Sequence, residues 1–135
     1  MGKINYLVVI DDNPGNNLIC RILVQNEAFA NEFKDFLSPM EAIDYLKKIA
    51  VEHKEAFPEV IFLDINMPEM DGWEFLNSFR ELPSEVTKNC KIFMVSSSIY
   101  SKDLERAATH DLITGFITKP LTTERLAEVK EQLSS

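Results

Sequence analysis

Asp64 closes the stretch VIFLD, in which four apolar residues, Val60 to Leu63, run straight into a carboxylate. A run this short, apolar and β-branched or aromatic predicts a buried strand of a parallel sheet. The charged group then stands where the strand leaves the sheet. Pro68 forbids helix just behind it, and Asp71-Gly72 marks a turn before the next helix. Three other strand-like stretches finish in functional groups. Tyr6 to Ile10 ends at Asp11 and Asp12, Ile92 to Val95 at Ser96, Ser97 and Ser98, and Gly115 to Thr118 at Lys119-Pro120. Brought together, these residues supply three carboxylates, a hydroxyl and an ammonium. Two unit charges at about 4 Å repel by about 4 kcal/mol at an effective dielectric of 20. Three carboxylates in one cleft therefore call for a bound cation or a raised pKa. With oxygen ligands and no neighbouring His or Cys, a hard ion is favoured, Mg²⁺ or Mn²⁺. Lysine and serine suit the oxygens of a phosphate. A carboxylate beside such a metal can be a nucleophile that becomes an acyl phosphate, and the charge of phosphoryl transfer would be stabilised by the metal and the lysine.

That convergence needs elements that place four strand ends on one edge. Asn13-Pro14 reads as cap and first residue of a helix, with Leu18, Ile19, Ile22 and Leu23 at helical spacing as its apolar face. Residues 30 to 36 alternate loosely and predict a less buried strand. Ser38-Pro39-Met40-Glu41 reads as a capping box, followed by Ala42, Ile43, Leu46, Ile49 and Ala50 on one face. Phe75, Leu76, Phe79 and Leu82 mark a third helix, and Pro83 to Asn89 a polar loop. A fourth helix is expected from about Ser101 to Thr109, and the last from about Thr122 to Leu133. The order is (βα) five times, which implies an α/β fold, a doubly wound parallel five-stranded sheet with helices on both faces. Right-handed crossovers fit the flavodoxin-like order 2-1-3-4-5. In that order strands 1, 3, 4 and 5 are neighbours about 4.8 Å apart, and their carboxyl ends share one pocket.

With 135 residues the chain has the size of a single domain, residues 1–135, able to bury its own core. Fourteen basic against 22 acidic residues, a net charge of -8, argue against nucleic-acid binding by a basic face. No apolar run approaches the length of a membrane span, and the N-terminus is not a signal peptide. Cys20 and Cys90 read as reduced, buried thiols of a cytoplasmic protein. His53 and His110 lack ligand-like neighbours. Trp73 and Phe75 read as packing residues.

As a set, DD after strand 1, D-x-N-M-P-x-M-D-G, a Ser after strand 4 and KP after strand 5 resemble the receiver domain of two-component response regulators over nearly the whole chain. The resemblance implies that Asp64 accepts a phosphoryl group from a histidine kinase or histidine phosphotransfer protein. It implies Mg²⁺ among Asp11, Asp12, Asp64 and the backbone carbonyl of Asn66, with Ser96 and Lys119 on the phosphate. Ser97 is the alternative for the hydroxyl role. Phe116 matches the family's switch aromatic, and the Lys119-Pro120 bond is cis in the family. A downstream partner would meet the face of the fourth helix, fifth strand and last helix, including Ile99, Tyr100 and Phe116. No output domain follows the last helix, as in a stand-alone receiver or one cut from a longer protein. Two other readings stand beside this one. An aspartyl-phosphate phosphohydrolase would want an acid two residues after the nucleophile, where the sequence has Asn66. A degenerate receiver used only for docking would not need the complete residue set. A P-loop NTPase is excluded because G-x-x-x-x-G-K-[ST] is absent.

Overall fold

The structure, a computed structural model, describes residues 4–97 and 101–134. Its elements in order are β1 (Ile4–Ile10), α1 (Pro14–Asn26), β2 (Ala30–Phe36), α2 (Pro39–Glu52), β3 (Val60–Asp64) and α3 (Gly72–Phe79). Then follow a short α4 (Ser84–Thr87), β4 (Lys91–Ser96), α5 (Ser101–Thr109), β5 (Ile113–Thr118) and α6 (Thr123–Ser134). The five strands are all parallel, in the order β2-β1-β3-β4-β5. This is the doubly wound α/β sheet that the alternation of elements predicts.

Period-2 alternation along the strands splits the core into two layers. Val8, Ile10, Ile61, Leu63, Ile92 and Met94 pack with α2 and α3, through Leu46, Ile49, Phe75, Leu76 and Phe79. Leu7, Val9, Val60, Phe62, Phe93 and Val95 pack on the other face with Cys20 and Val24 of α1 and Leu126 and Val129 of α6. All five residues of β3 are buried, because it is the middle strand and is covered on both faces. Truncating Leu63 to Ala there should cost about 2–5 kcal/mol.

Three expectations are corrected. Most of the apolar stripe of α1 faces outward: Leu18, Ile19 and Ile22 are 54%, 48% and 46% exposed, Leu23 packs partly against the core, and Asn17, Cys20 and Val24 face it. The polar loop from Pro83 to Asn89 contains a helical turn, α4, anchored by buried Val86. The complete capping box lies at α3, where the Asp71 side chain accepts from Glu74 N–H at 2.8 Å and Glu74 Oε1 accepts from Asp71 N–H at 3.0 Å. At α2, Ser38 Oγ accepts from Glu41 N–H at 3.2 Å, which is the forward half of such a box.

Gly72 is the first residue of α3, and its φ is negative, so conformational freedom does not explain it. The reason is close approach. A Cβ there would stand 2.9 Å from the Asp64 carbonyl oxygen and 2.9 Å from Met94 Cε. Its N–H donates to the Ile65 carbonyl at 2.7 Å, drawing the helix start against the end of β3. Between them, Glu69 takes a positive φ of 69°, and Met70 N–H bonds the Pro68 carbonyl across it at 2.7 Å. The loop behind Asp64 is thus a tight turn clamped to the strand it follows.

Candidate functional site

The carboxyl edge of the sheet brings Asp11, Asp12 and Asp64 together, with carboxylate oxygens within 4.8 Å of one another. Asp11 and Asp64 are buried and Asp12 is exposed. The Asp11 carboxylate is held on both oxygens. Asn13 N–H donates to Oδ1 at 2.9 Å, Asn16 Nδ2 reaches Oδ2 at 3.4 Å, and Lys119 Nζ lies 2.7 Å from the same Oδ2. The first two contacts come from the turn that starts α1, whose N-cap Asn13 accepts from Asn16 N–H at 3.1 Å, and the third comes from Lys119, just after β5.

Lys119 also lies 3.5 Å from Asp64 Oδ1, so its ammonium bridges two of the three carboxylates instead of standing across the pocket from them. Its backbone N–H donates to the Ser96 carbonyl at 2.9 Å, and the Lys119-Pro120 bond is cis. Burial pushes the Asp64 carboxyl up to about 6 from an ordinary 3.8. The attraction of Lys119 opposes that rise, and the charges of Asp11 and Asp12 add to it. A hard divalent cation fits this donor set, because it would offset three like charges that a single lysine only partly balances. The residues that could hold it are Asp11, Asp12 and Asp64, with Asn66 exposed two residues beyond the strand.

Ser96 ends β4, one residue past Val95, which pairs with Asp64, and opposite Thr118. It is 1% exposed, whereas Ser97 is open to solvent, so the two serines are not equivalent. Phe116 pairs with Met94 and is half-buried against the α2–α3 core layer. It also lines an open groove with Arg125, Glu128 and Gln132 on the β5–α6 side. Ser98, Ile99 and Tyr100 lie outside the described residues. Trp73 and Phe75 are buried in the core, as packing residues should be. His110 Nδ1 accepts from Leu112 N–H at 3.2 Å, and His53 caps the end of α2. An apolar recess of about 50 Å³ opens beside Asp64 and Lys119, lined by Ile19, Cys20, Phe62, Val95 and Leu121.

Sequence reasoning missed Asn17. Among the described residues the buried polar side chains are Asp11, Asn17, Asp64 and Ser96, and three of these four are site candidates. Only its neighbourhood could have signalled it: an asparagine where the core face of α1 needs a buried residue.

The chain matches the model of the response regulator receiver domain over residues 7–131. It is similar to the crystal structure of a two-component response regulator from Cytophaga hutchinsonii, with TM-score 0.88, 25% identity and coverage of 99% of this chain and 100% of that one. A response regulator receiver protein from Dyadobacter fermentans gives TM-score 0.82 at 27% identity, covering 96% and 98%. The protein-glutamate methylesterase/protein-glutamine glutaminase of Treponema denticola is 34% identical over 99% of this chain, which spans 34% of that protein. Among the described residues, no helix is long and apolar enough to cross a membrane.

Proposed function

This chain belongs to the response regulator receiver family, and on that premise we propose that it is a phosphorylation-controlled signalling switch, with residues 1–135 acting as one receiver unit. Asp64 accepts a phosphoryl group from a histidine kinase or a histidine phosphotransfer protein, and the chain catalyses nothing beyond its own phosphorylation and dephosphorylation. The observation that carries the reading is the meeting of Asp11, Asp12 and Asp64 within 4.8 Å, with Lys119 bridging two of them.

An ionised Asp64 oxygen attacks the phosphorus in line with the leaving nitrogen of the donor imidazole. The O–P bond forms as the P–N bond breaks, and the electron pair returns to the imidazole. Asp64 is then an acyl phosphate. Mg²⁺ or Mn²⁺, held by Asp11, Asp12, Asp64 and the Asn66 carbonyl, would neutralise charge on the phosphoryl oxygens. Lys119 exchanges its contact with the Asp64 carboxylate for one with the phosphate, keeping Asp11 as its anchor. The exposed apolar side of α1, Leu18, Ile19 and Ile22, adjoins the approach to Asp64 through Ile19 and suits a protein donor.

The output follows from charge. A phosphate on Asp64 adds acceptors that draw the Ser96 hydroxyl inward. Phe116, on the neighbouring strand, turns into the space released, and the α5–β5–α6 surface changes what a downstream protein can contact. This is a population shift between two packings. Ile99 and Tyr100, expected on the same surface, lie outside the described residues. The setting is cytoplasmic, where phosphohistidine donors act. Beryllofluoride with Mg²⁺ tests the route: amide signals of Ser96 and Phe116 should shift. Ser96→Ala should still be phosphorylated, more slowly, but no longer move Phe116. Static signals in the natural chain, or an unimpaired Ser96→Ala switch, would refute the route.

A further inference from the structure

Asn17 is 2% exposed, an amide buried on the core side of α1 beside the acidic edge. Its Nδ2 donates to the Asp11 carbonyl at 3.1 Å and reaches the Phe36 carbonyl at 3.5 Å. The Asp11 N–H donates to that same Phe36 oxygen at 3.1 Å. One side chain therefore ties together the ends of β1 and β2 and the first turn of α1. With two carbonyls on one side, the amide must turn its nitrogen toward them, and Oδ1 is left with no donor among the described residues. Burying an amide oxygen without a partner is costly. Apolar side chains fill equivalent places at Cys20 and Val24, so packing alone does not call for an amide here.

What the bond controls is a peptide plane. The Asp11 side chain has its own supports in Asn13, Asn16 and Lys119. Asp12 is exposed, and of those supports Asn13 N–H belongs to the peptide that follows it. Its direction is set by the two peptides that flank it: the one after it is held by Asn13 N–H on Asp11 Oδ1, and the carbonyl of the one before it is the one Asn17 holds. Rotating this plane would swing the Asp12 carboxylate away from Asp11 and Asp64.

We infer that Asn17 is a positioning residue for the cation site, acting through the Asp11 carbonyl to aim Asp12. The inference rests on the reading of Asp11, Asp12 and Asp64 as ligands of a divalent cation. Outer partners of metal ligands commonly tune affinity by about 10–100-fold, so loss of the amide should weaken cation binding by about tenfold.

The test is titration of the phosphate-free protein with Mn²⁺ and Mg²⁺, by calorimetry and by Trp73 fluorescence, for the natural chain, Asn17→Leu, Asp12→Ala and the double variant. Asn17→Ala replaces Asn17→Leu if the latter does not fold. Half-saturation should rise about tenfold in the Asn17 variant. Labelling by acetyl phosphate should reach the natural rate once the cation saturates. In the double variant Asn17→Leu should add little to Asp12→Ala, because both act on one carboxylate. An unchanged affinity in a folded Asn17 variant would overturn the inference, as would losses that multiply in the double variant or a labelling rate that saturating cation does not restore. A natural chain that binds neither cation would overturn the metal reading itself, and the inference with it.

Discussion

Replacing Asp64 by asparagine should stabilise the protein in the absence of divalent cations, and only above mildly acidic pH. In the folded chain its carboxyl is pushed up to about 6, first by burial and then by Asp11 and Asp12, against the pull of Lys119; its ordinary value is 3.8. The folded state therefore holds this proton more tightly than the unfolded chain does. Between those two values stability falls as pH rises, and the full cost is present above the upper one. Each step of one in pKa is worth about 1.4 kcal/mol, so an ionised Asp64 costs the fold about 3 kcal/mol at neutral pH. Asparagine keeps the shape and removes the charge. For a chain of this size that gain corresponds to a midpoint on the order of 10 °C higher. Thermal and urea melts of both proteins in EDTA, from pH 4 to pH 8, read the difference directly. The gap should be small at pH 4, open through pH 5 and 6, and level off above. Adding Mg²⁺ should then narrow it, since a ligand of the folded state stabilises the natural chain by mass action. Equal stabilities at pH 7.5, or a gap independent of pH, would refute the account of Asp64 as a charge buried at the fold's expense.

Two further substitutions probe the supports of the site. Gly72→Ala inserts a Cβ 2.9 Å from the Asp64 carbonyl oxygen, which is backbone and cannot step aside; denaturant melts should show a loss of about 1–3 kcal/mol, with slower labelling by acetyl phosphate. Ile19→Glu places a charge on the outward side of α1, so melts should be nearly unchanged and acetyl phosphate labelling should persist, while transfer from a protein phosphohistidine donor slows at least tenfold. Equal slowing with both donors would place the damage in the chemistry instead of the docking.

The inner strands were legible because burial on both faces writes itself as apolar runs, and VIFLD reads as β3 from Val60 to Asp64 in sequence and structure alike, whereas the edge strands β2 and β5 are only partly buried. The carboxylates were legible for the same reason, since a charge directly after such a run stands at the edge of the sheet; Lys119 instead follows Thr118 of the half-buried β5. Helix α1 was not. Its most hydrophobic residues, Leu18, Ile19 and Ile22, point outward, while the core side carries an asparagine and a cysteine. Periodicity finds an apolar stripe but does not say what covers it. The capping box at Asp71 and Glu74 was hidden because Asp71-Gly72 reads first as a turn, and the reason for Gly72 is a contact across the loop that no local pattern encodes. The bridge of Lys119 to Asp11 joins residues far apart in sequence, through neighbours that exist only once the sheet has formed.

The proposed switch depends on Asp64 taking the phosphoryl group. Incubation with acetyl phosphate and Mg²⁺, followed by intact and peptide mass spectrometry, tests it most directly. The protein should gain one phosphoryl group, stable in acid, removed by hydroxylamine, located on the peptide containing Asp64 and absent in Asp64→Asn. A hydroxylamine-labile phosphoryl group that persists in Asp64→Asn, or none on the natural chain at saturating Mg²⁺, would contradict it.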